Sequence, residues 1–190
     1  MDGITVRFWG TRGSLPAALT ADDVHAKITQ ALLAAAGKNL DTIEKARAFA
    51  DTLPFAAGGT FGGNSSCVEL RADGAPKVFL DMGSGGRQAG IAALRDLHGK
   101  PGEFHIFMSH LHWDHIMGFP FFNPAYIAGH HIRIYGCHPE IEQAYRLQQA
   151  APCFPVDFST MAARIEFIRL EAGRAYDIAG YRVTAKLRAR

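Results

Sequence analysis

β-Branched and aromatic residues gather in short stretches of the chain, several of which alternate with polar positions as half-buried strands do. The stretch directly before residue 109 is apolar almost throughout, which is typical of a strand buried on both faces. Asp73 and Gly74 separate two of the stretches and predict a hairpin turn. The pattern therefore predicts strands over 4–9, 66–71, 77–80, 104–108, 131–135, 164–170 and 181–187.

The pattern changes to helical spacing over 21–36, where apolar residues recur every three or four positions behind Thr20. Gly37 is a plausible helix stop, and Asp41 is a candidate cap for a second helix that ends before Pro54. These two helices predict a helical insertion at 17–57, between the first and second strands. Two further helices are predicted over 87–97 and 139–149, the second with a proline in its first turn.

Strands outnumber helices, and several are linked by short turns, so we expect an α/β fold with a mixed sheet and flanking helices. The chain has 190 residues, of which 48% are hydrophobic, enough to build one sizeable core. The sequence shows no internal repeat. We therefore expect a single domain over 1–190, with the helical insertion inside it.

Composition narrows the class of protein only slightly. The net charge of +2 argues neither for nor against a nucleic-acid partner, although we expect none. Three widely spaced cysteines do not form a disulfide framework and favour a reduced, cytoplasmic compartment. The N-terminus resembles no signal peptide, and no apolar run is long enough to cross a membrane.

Four potential metal ligands follow the buried strand within six residues: His110, His112, Asp114 and His115. Residues two apart in an extended chain point to the same side, so the first two histidines can share one ion. The aspartate and the last histidine fall where the chain turns and can serve a second ion. Imidazole and carboxylate suit zinc, and also manganese or iron. Two such ions can activate water for hydrolysis.

His110-Leu111-His112-Trp113-Asp114-His115 resembles the signature of the metallo-β-lactamase fold superfamily. The flanking motifs resemble its phosphodiesterase-like branch, which is related to phosphoribosyl cyclic phosphodiesterase and to tRNA 3′-processing nucleases. The resemblance runs from about residue 4 to 187, interrupted by the helical insertion. These flanking motifs are Phe8-Trp9-Gly10-Thr11-Arg12-Gly13-Ser14-Leu15-Pro16, Gly62-Gly63-Asn64-Ser65-Ser66-Cys67 and Asp81-Met82-Gly83-Ser84-Gly85.

The resemblance implies an αββα sandwich and a role for each site residue. It places His110 and His112 on a first zinc ion and Asp114 and His115 on a second, with a metal-held hydroxide attacking the substrate. Asp114 would also orient or deprotonate the attacking water. Asp81 would support the histidines from behind, although a turn-capping role fits it equally well.

Arg12 is a candidate contact for a substrate phosphate, and a loop-stabilising role is equally open. The resemblance implies a phosphodiester substrate, either a small molecule or a compound of nucleotide type. It does not specify which one.

The family completes its site with further ligands from a second half, and the sequence offers no histidine beyond His138. Only Asp157 and Asp177 follow among the aspartates, outside any matching motif. The resemblance therefore implies a chain truncated at its C-terminus, with two ligands for each ion where catalytic zinc usually has three. His130, His131, His138 and Cys153 are possible substitutes, although we expect the histidine pair to begin a strand and the thiol to be packed.

Two hypotheses follow. The chain is a metal-dependent hydrolase of phosphodiesterase type, or it is an incomplete homologue that binds metal weakly or not at all and acts through association. A half sandwich would also leave a sheet face or edge uncovered. Three origins are open: a truncated product of a longer gene, a homodimer whose second copy covers the face, or a marginally stable fragment.

Overall fold

The computed structural model describes residues 3–72 and 74–186. The described residues form a six-stranded sheet in the order β1-β2-β3-β4-β5-β6 and a separate two-stranded sheet of β7 and β8. The strands are β1 (Thr5–Gly10), β2 (Cys67–Arg71), β3 (Lys77–Leu80), β4 (Glu103–Phe107), β5 (His131–Gly136), β6 (Arg164–Arg169), β7 (Ala175–Ile178) and β8 (Tyr181–Thr184).

Helices lie between the strands. They are α1 (Ala21–Ala34), α2 (Ile43–Ala50), α3 (Phe55–Gly58), α4 (Gly86–Leu97), α5 (Trp113–Ile116) and α6 (Ile141–Gln148). Short 3₁₀ turns occupy Phe119–Phe121, Asn123–Tyr126 and Phe158–Thr160. No helix in the described part of the chain is long and apolar enough to cross a membrane.

The six-stranded sheet is mixed. Strands β1, β2 and β3 pair antiparallel, and Val68 faces Leu80 in the predicted hairpin, although Asp73 of its turn lies outside the described residues. Strands β3 to β6 pair parallel. Because parallel strands end at one edge of a sheet, the segment that follows β4 is placed where α/β proteins commonly build their sites.

One face of the sheet carries the hydrophobic core. Fully buried side chains from three adjacent strands meet there, and rings from the segment after α5 pack against them. Helix α4 approaches closely because its buried side is made of small residues, and a side chain at Gly90 would collide with the Phe122 ring. The sheet residues are Phe79, Phe104, Ile106, Ile132 and Ile134. The α/β class is therefore confirmed.

Strand β1 lies at the edge of the sheet and carries large apolar side chains that are not covered. Val6 and Phe8 are 49% and 65% exposed. Together with exposed Leu80 of β3, they lie on the face opposite α4. Apolar side chains on this part of the sheet are therefore in contact with water.

The chain divides into two compact units. The first, here called the sheet unit, contains the described residues up to Pro16 and from Asn64 onward. The second, here called the helical unit, is Ala17–Gly63 and contains α1, α2 and α3. That this unit is an insertion into a smaller fold stays a prediction.

Local contacts hold the helical unit. Thr20 and Asp23 form a reciprocal capping box at the start of α1, and Thr42, not the expected Asp41, caps α2 by accepting from the Lys45 amide. The Lys27 ammonium donates to the Ala56 and Gly59 carbonyls at 2.5 and 2.6 Å.

Several sequence predictions differ from the structure in detail. The helix expected over 139–149 begins at Ile141, so Pro139 lies outside it. Strand β7 was not predicted, and β8 ends at Thr184; Leu187 of the predicted strand lies outside the described residues. Cys153 is exposed, so the expectation of a packed thiol was wrong.

Candidate functional site

Residues 109–115, here called the histidine loop, leave the end of β4 and enter helix α5. His112 is the N-cap residue of that helix and has extended backbone angles. The His110 ring lies 4.4 Å from the His112 ring and 4.0 Å from the His115 ring, centroid to centroid. His115 Nε2 lies 3.4 Å from Asp114 Oδ2. The fold therefore brings all four predicted ligands together.

Asp81 lies directly behind the histidine loop. It follows β3 with a left-handed backbone (φ 59°), which aspartate tolerates better than most residues. Its carboxylate is buried, accepts the Ser109 amide at 2.8 Å and lies 2.7 Å from His115 Nδ1. Ser66 Oγ donates to the same carboxylate at 3.3 Å. Whether this arrangement supports metal ligands stays a prediction.

Ser109 is the site residue that sequence reasoning missed. Its hydroxyl oxygen lies 2.9 and 2.8 Å from the two Asp81 carboxylate oxygens and 3.0 Å from His110 Nδ1. The only signal in the sequence is a hydroxyl residue directly before the first histidine. That signal is weak because a serine there can equally well end the strand.

Asp114 connects the histidine loop to the loop that follows β1. Its buried carboxylate accepts the Ser14 amide at 2.8 Å, across 100 residues of sequence. Ser14, whose amide makes this hydrogen bond, has a left-handed backbone conformation (φ 56°). Arg12 lies in the same loop, where its amide donates to the Asn64 carbonyl at 2.9 Å. Its role toward a substrate stays a prediction.

Two glycines allow the backbone behind the site to pack without side chains between the segments. The Gly118 amide donates to the Met82 carbonyl at 3.0 Å, and the Met82 amide donates to the His115 carbonyl at 2.8 Å. A Cβ at Gly118 would overlap the Gly83 carbonyl, and a Cβ at Gly83 would overlap the Asp114 carbonyl. The segment after β3 is thus fixed directly against the histidine loop.

Burial lowers the pKa of His110 below its ordinary value, and the neighbouring His115 and His112 lower it further. A positive charge on either neighbour would disfavour a second one on His110, whereas the Asp81 and Asp114 carboxylates act in the opposite direction. The lower pKa favours the neutral imidazole, which is the form that can bind a metal.

Imidazole nitrogens and a carboxylate are suitable ligands for a divalent ion, so the side chains of the loop fit zinc in kind. Their positions in this structure, however, do not form a complete coordination site. Within 3–72 and 74–186, no group of three or more histidine, cysteine, aspartate or glutamate side chains is placed to hold an ion. In this conformation His110 is hydrogen-bonded to Ser109, His115 to Asp81, and Asp114 to the Ser14 amide.

The substitute ligands considered from the sequence have other contacts. His130 Nδ1 accepts the Gly102 amide at 2.8 Å, and His131 begins β5, where its Nε2 lies 2.9 Å from Glu166. The histidine loop follows the C-terminal end of β4, whereas this pair lies at the N-terminal end of the neighbouring parallel strand β5. The pair is therefore at the opposite end of the strands from the histidine loop. His138 lies 2.7 Å from the Glu140 carboxylate.

No protein-family model matches the sequence, and no curated protein matches it. Among solved structures, the metallo-beta-lactamase fold protein YhfI from Bacillus subtilis is similar over 94% of this chain and 50% of that chain. The two share 18% sequence identity with a TM-score of 0.43. A Thermotoga maritima protein provisionally described as a metallo-beta-lactamase is similar over 91% of this chain and 61% of its own. It is 12% identical, with a TM-score of 0.41.

The chain is thus similar to proteins of the metallo-beta-lactamase fold, which is the fold that its motifs resemble. It spans between half and two thirds of the length of these two structures.

Proposed function

We propose that this chain carries the ligand loop of a metal-dependent hydrolase that acts on phosphodiesters. The observation that supports the proposal best is the clustering of three imidazoles and a carboxylate at the edge of the sheet where the parallel strands end. His110, His112, Asp114 and His115 would hold zinc, or manganese or iron in its place. A bound divalent ion supplies an activated water and offsets negative charge on a phosphate.

The side chains around the ion would hold the metal ligands in place, orient the attacking water and accept its proton. Asp114 is suited to orient water and to accept a proton from it, because its carboxylate is held in place by the Ser14 amide. Burial and the neighbouring histidines lower the pKa of His110, which favours the neutral form that can act as a ligand. Asp81 holds the His115 ring from the side away from Asp114.

A phosphodiester is the proposed substrate class, either a small molecule or a compound of nucleotide type. Ser14 ties the Arg12 loop to Asp114, so a guanidinium that can pair with two phosphate oxygens is carried by a loop fixed to the site. The branch that the flanking motifs resemble points to the same class.

A second candidate is a chain of the same ancestry that has no catalytic role and acts through association. It is favoured by the hydrogen bonds of the loop, because the carboxylates of Asp114 and Asp81 already accept from Ser14 and Ser109. A loop whose polar groups are paired in this way does not require an ion for its stability.

Zinc content after equilibrium dialysis, together with hydrolysis of bis(p-nitrophenyl) phosphate, distinguishes the two candidates. The hydrolase proposal predicts stoichiometric zinc and turnover. His112→Ala should lower turnover by about 100-fold or more, since even outer partners of a ligand are worth about 10–100-fold. His25→Ala, an exposed histidine of helix α1, should change neither quantity. A wild-type chain that neither retains zinc nor hydrolyses the diester would favour the second candidate.

A further inference from the structure

Ser109 has more partners than its single proton can satisfy as donor. Its hydroxyl oxygen is within 3.0 Å of both Asp81 carboxylate oxygens and of His110 Nδ1, and it lies 3.4 Å from His115 Nδ1. A serine hydroxyl donates once and accepts twice, whereas a carboxylate only accepts. The group to which the Ser109 hydroxyl donates its hydrogen therefore decides which ring nitrogen of His110 is protonated.

The proton belongs between Ser109 and Asp81. If the hydroxyl donated to His110, its lone pairs would face two carboxylate oxygens at 2.8 and 2.9 Å with no hydrogen between them. Donation to Asp81 removes that repulsion and forms a charge-assisted hydrogen bond. The serine oxygen then accepts, so His110 must carry its hydrogen on Nδ1. His115 must do the same, because its Nδ1 lies 2.7 Å from Asp81 Oδ2.

We propose that Ser109 is a positioning residue that relays the charge of Asp81 to His110 and fixes its tautomer. Asp81 fixes His115 directly and His110 through the serine hydroxyl. Both rings then carry hydrogen on Nδ1 and present an unprotonated Nε2 on their other side. This inference deepens the proposed function, on which its consequence rests: the two Nε2 atoms are the donors that a metal would meet.

The tautomers can be measured without metal and without substrate. Two-bond ¹H–¹⁵N correlation spectra of the metal-free protein at about pH 8, above the ordinary histidine pKa of about 6.5, show which ring nitrogen is protonated. His110→Gln and His115→Gln assign the two signals. We expect both histidines of the wild-type protein as Nδ1–H tautomers.

Variants separate the relay from a general effect on the loop. Ser109→Ala should release His110 into a mixture of tautomers and leave His115 as the Nδ1–H form. Ser109→Thr keeps the hydroxyl and should restore the wild-type spectrum. Ser66→Ala is the matched control, since Ser66 also donates to Asp81 and has no described hydrogen bond to either histidine. It should leave both tautomers unchanged.

Two results would overturn the relay: an Nε2–H tautomer of His110 in the wild-type protein, or a His110 tautomer that Ser109→Ala leaves unchanged. The wild-type spectrum decides by itself if that variant does not fold. Zinc titration tests the consequence, and Ser109→Ala should weaken zinc binding by about 10–100-fold. A wild-type protein with the expected tautomers that binds no zinc would refute the proposed function and leave the relay standing.

Discussion

The sheet unit and the helical unit are built in opposite ways. The sheet unit encloses large side chains such as Phe104, Ile106 and Tyr145, whose exposed fraction is zero. In the helical unit, all of whose residues the structure describes, Ala57 is the only buried residue. Helix α1 exposes Leu32 and Leu33 by 68% and 73%.

The two units are stabilised by different kinds of interaction. Burial stabilises the sheet unit, because each large apolar side chain removed from water contributes about 1.5–3 kcal/mol. The helical unit instead depends on caps, a charged pair between Lys45 and Asp41, and the Lys27 ammonium across α1 and α3. Contacts of this kind contribute about 1 kcal/mol or less each. We therefore expect the helical unit to open at a lower free energy than the sheet unit.

The largest expected effect tests the sheet unit. Phe104→Ala should lower the free energy of unfolding by about 3–5 kcal/mol, because the Phe104 ring packs edge-on against Phe122 and leaves a cavity when removed. Leu33→Ala removes an apolar side chain of the helical unit and should change stability by no more than about 0.5 kcal/mol. Urea unfolding of both variants measures this, and equal losses would contradict the contrast between the units.

A smaller effect is expected from the cap of helix α1. Thr20→Ala removes the hydroxyl that accepts the Asp23 amide and should destabilise the helix by about 1 kcal/mol. Amide hydrogen exchange should show faster exchange across α1 and unchanged exchange in β4. Thr29→Ala, in the middle of the same helix, is the control and should not accelerate exchange. Faster exchange in both units would mean that they unfold together.

The smallest effect concerns an ion cluster on the sheet unit. The Lys77 ammonium, aided by Arg71, holds the pKa of Asp96 below its ordinary value of 3.8. The folded state then binds fewer protons than the unfolded state as the solution is acidified. Stability from this group is therefore complete above pH 3.8 and is lost as pH falls through the lower folded value.

Asp96→Asn should flatten the loss of stability on acidification from about pH 5 to about pH 2. Urea midpoints measured across that range test it. Asp22→Asn, which removes a carboxylate from the helical unit, is the control. The same flattening in the control would show that the acid sensitivity is not specific to the Lys77 contact.

The strands and most helices could be predicted from the sequence because their signals are local. The Asp73-Gly74 turn and the alternating residues on either side of it are enough to predict the β2–β3 hairpin, and Thr20 marks the start of α1. Strand β7 was missed because four residues between two glycine-containing turns give a weak pattern. In the structure it is ordered by pairing with β8, as in the contact of Tyr176 with Val183.

The spacing of the histidines was enough to predict the metal-ligand cluster, whereas the residues that contact its side chains could not be predicted. Ser14 reaches Asp114 across 100 residues, and no periodicity reports such a contact. Ser109 is adjacent in sequence, but its importance depends on where Asp81 places a carboxylate. The arrangement of the donors also follows from these contacts and not from the spacing of the motif.

The close backbone packing at Gly83 and Gly118 has a consequence for variation of the protein. Even the methyl group of alanine at either position would overlap a backbone carbonyl oxygen, so no other residue fits without a shift of the backbone. In a library of all single substitutions, these two positions should tolerate nothing, while the exposed ring of Trp113 between two proposed ligands should tolerate many changes. The strictest requirement at this site would then fall on residues that have no side chain.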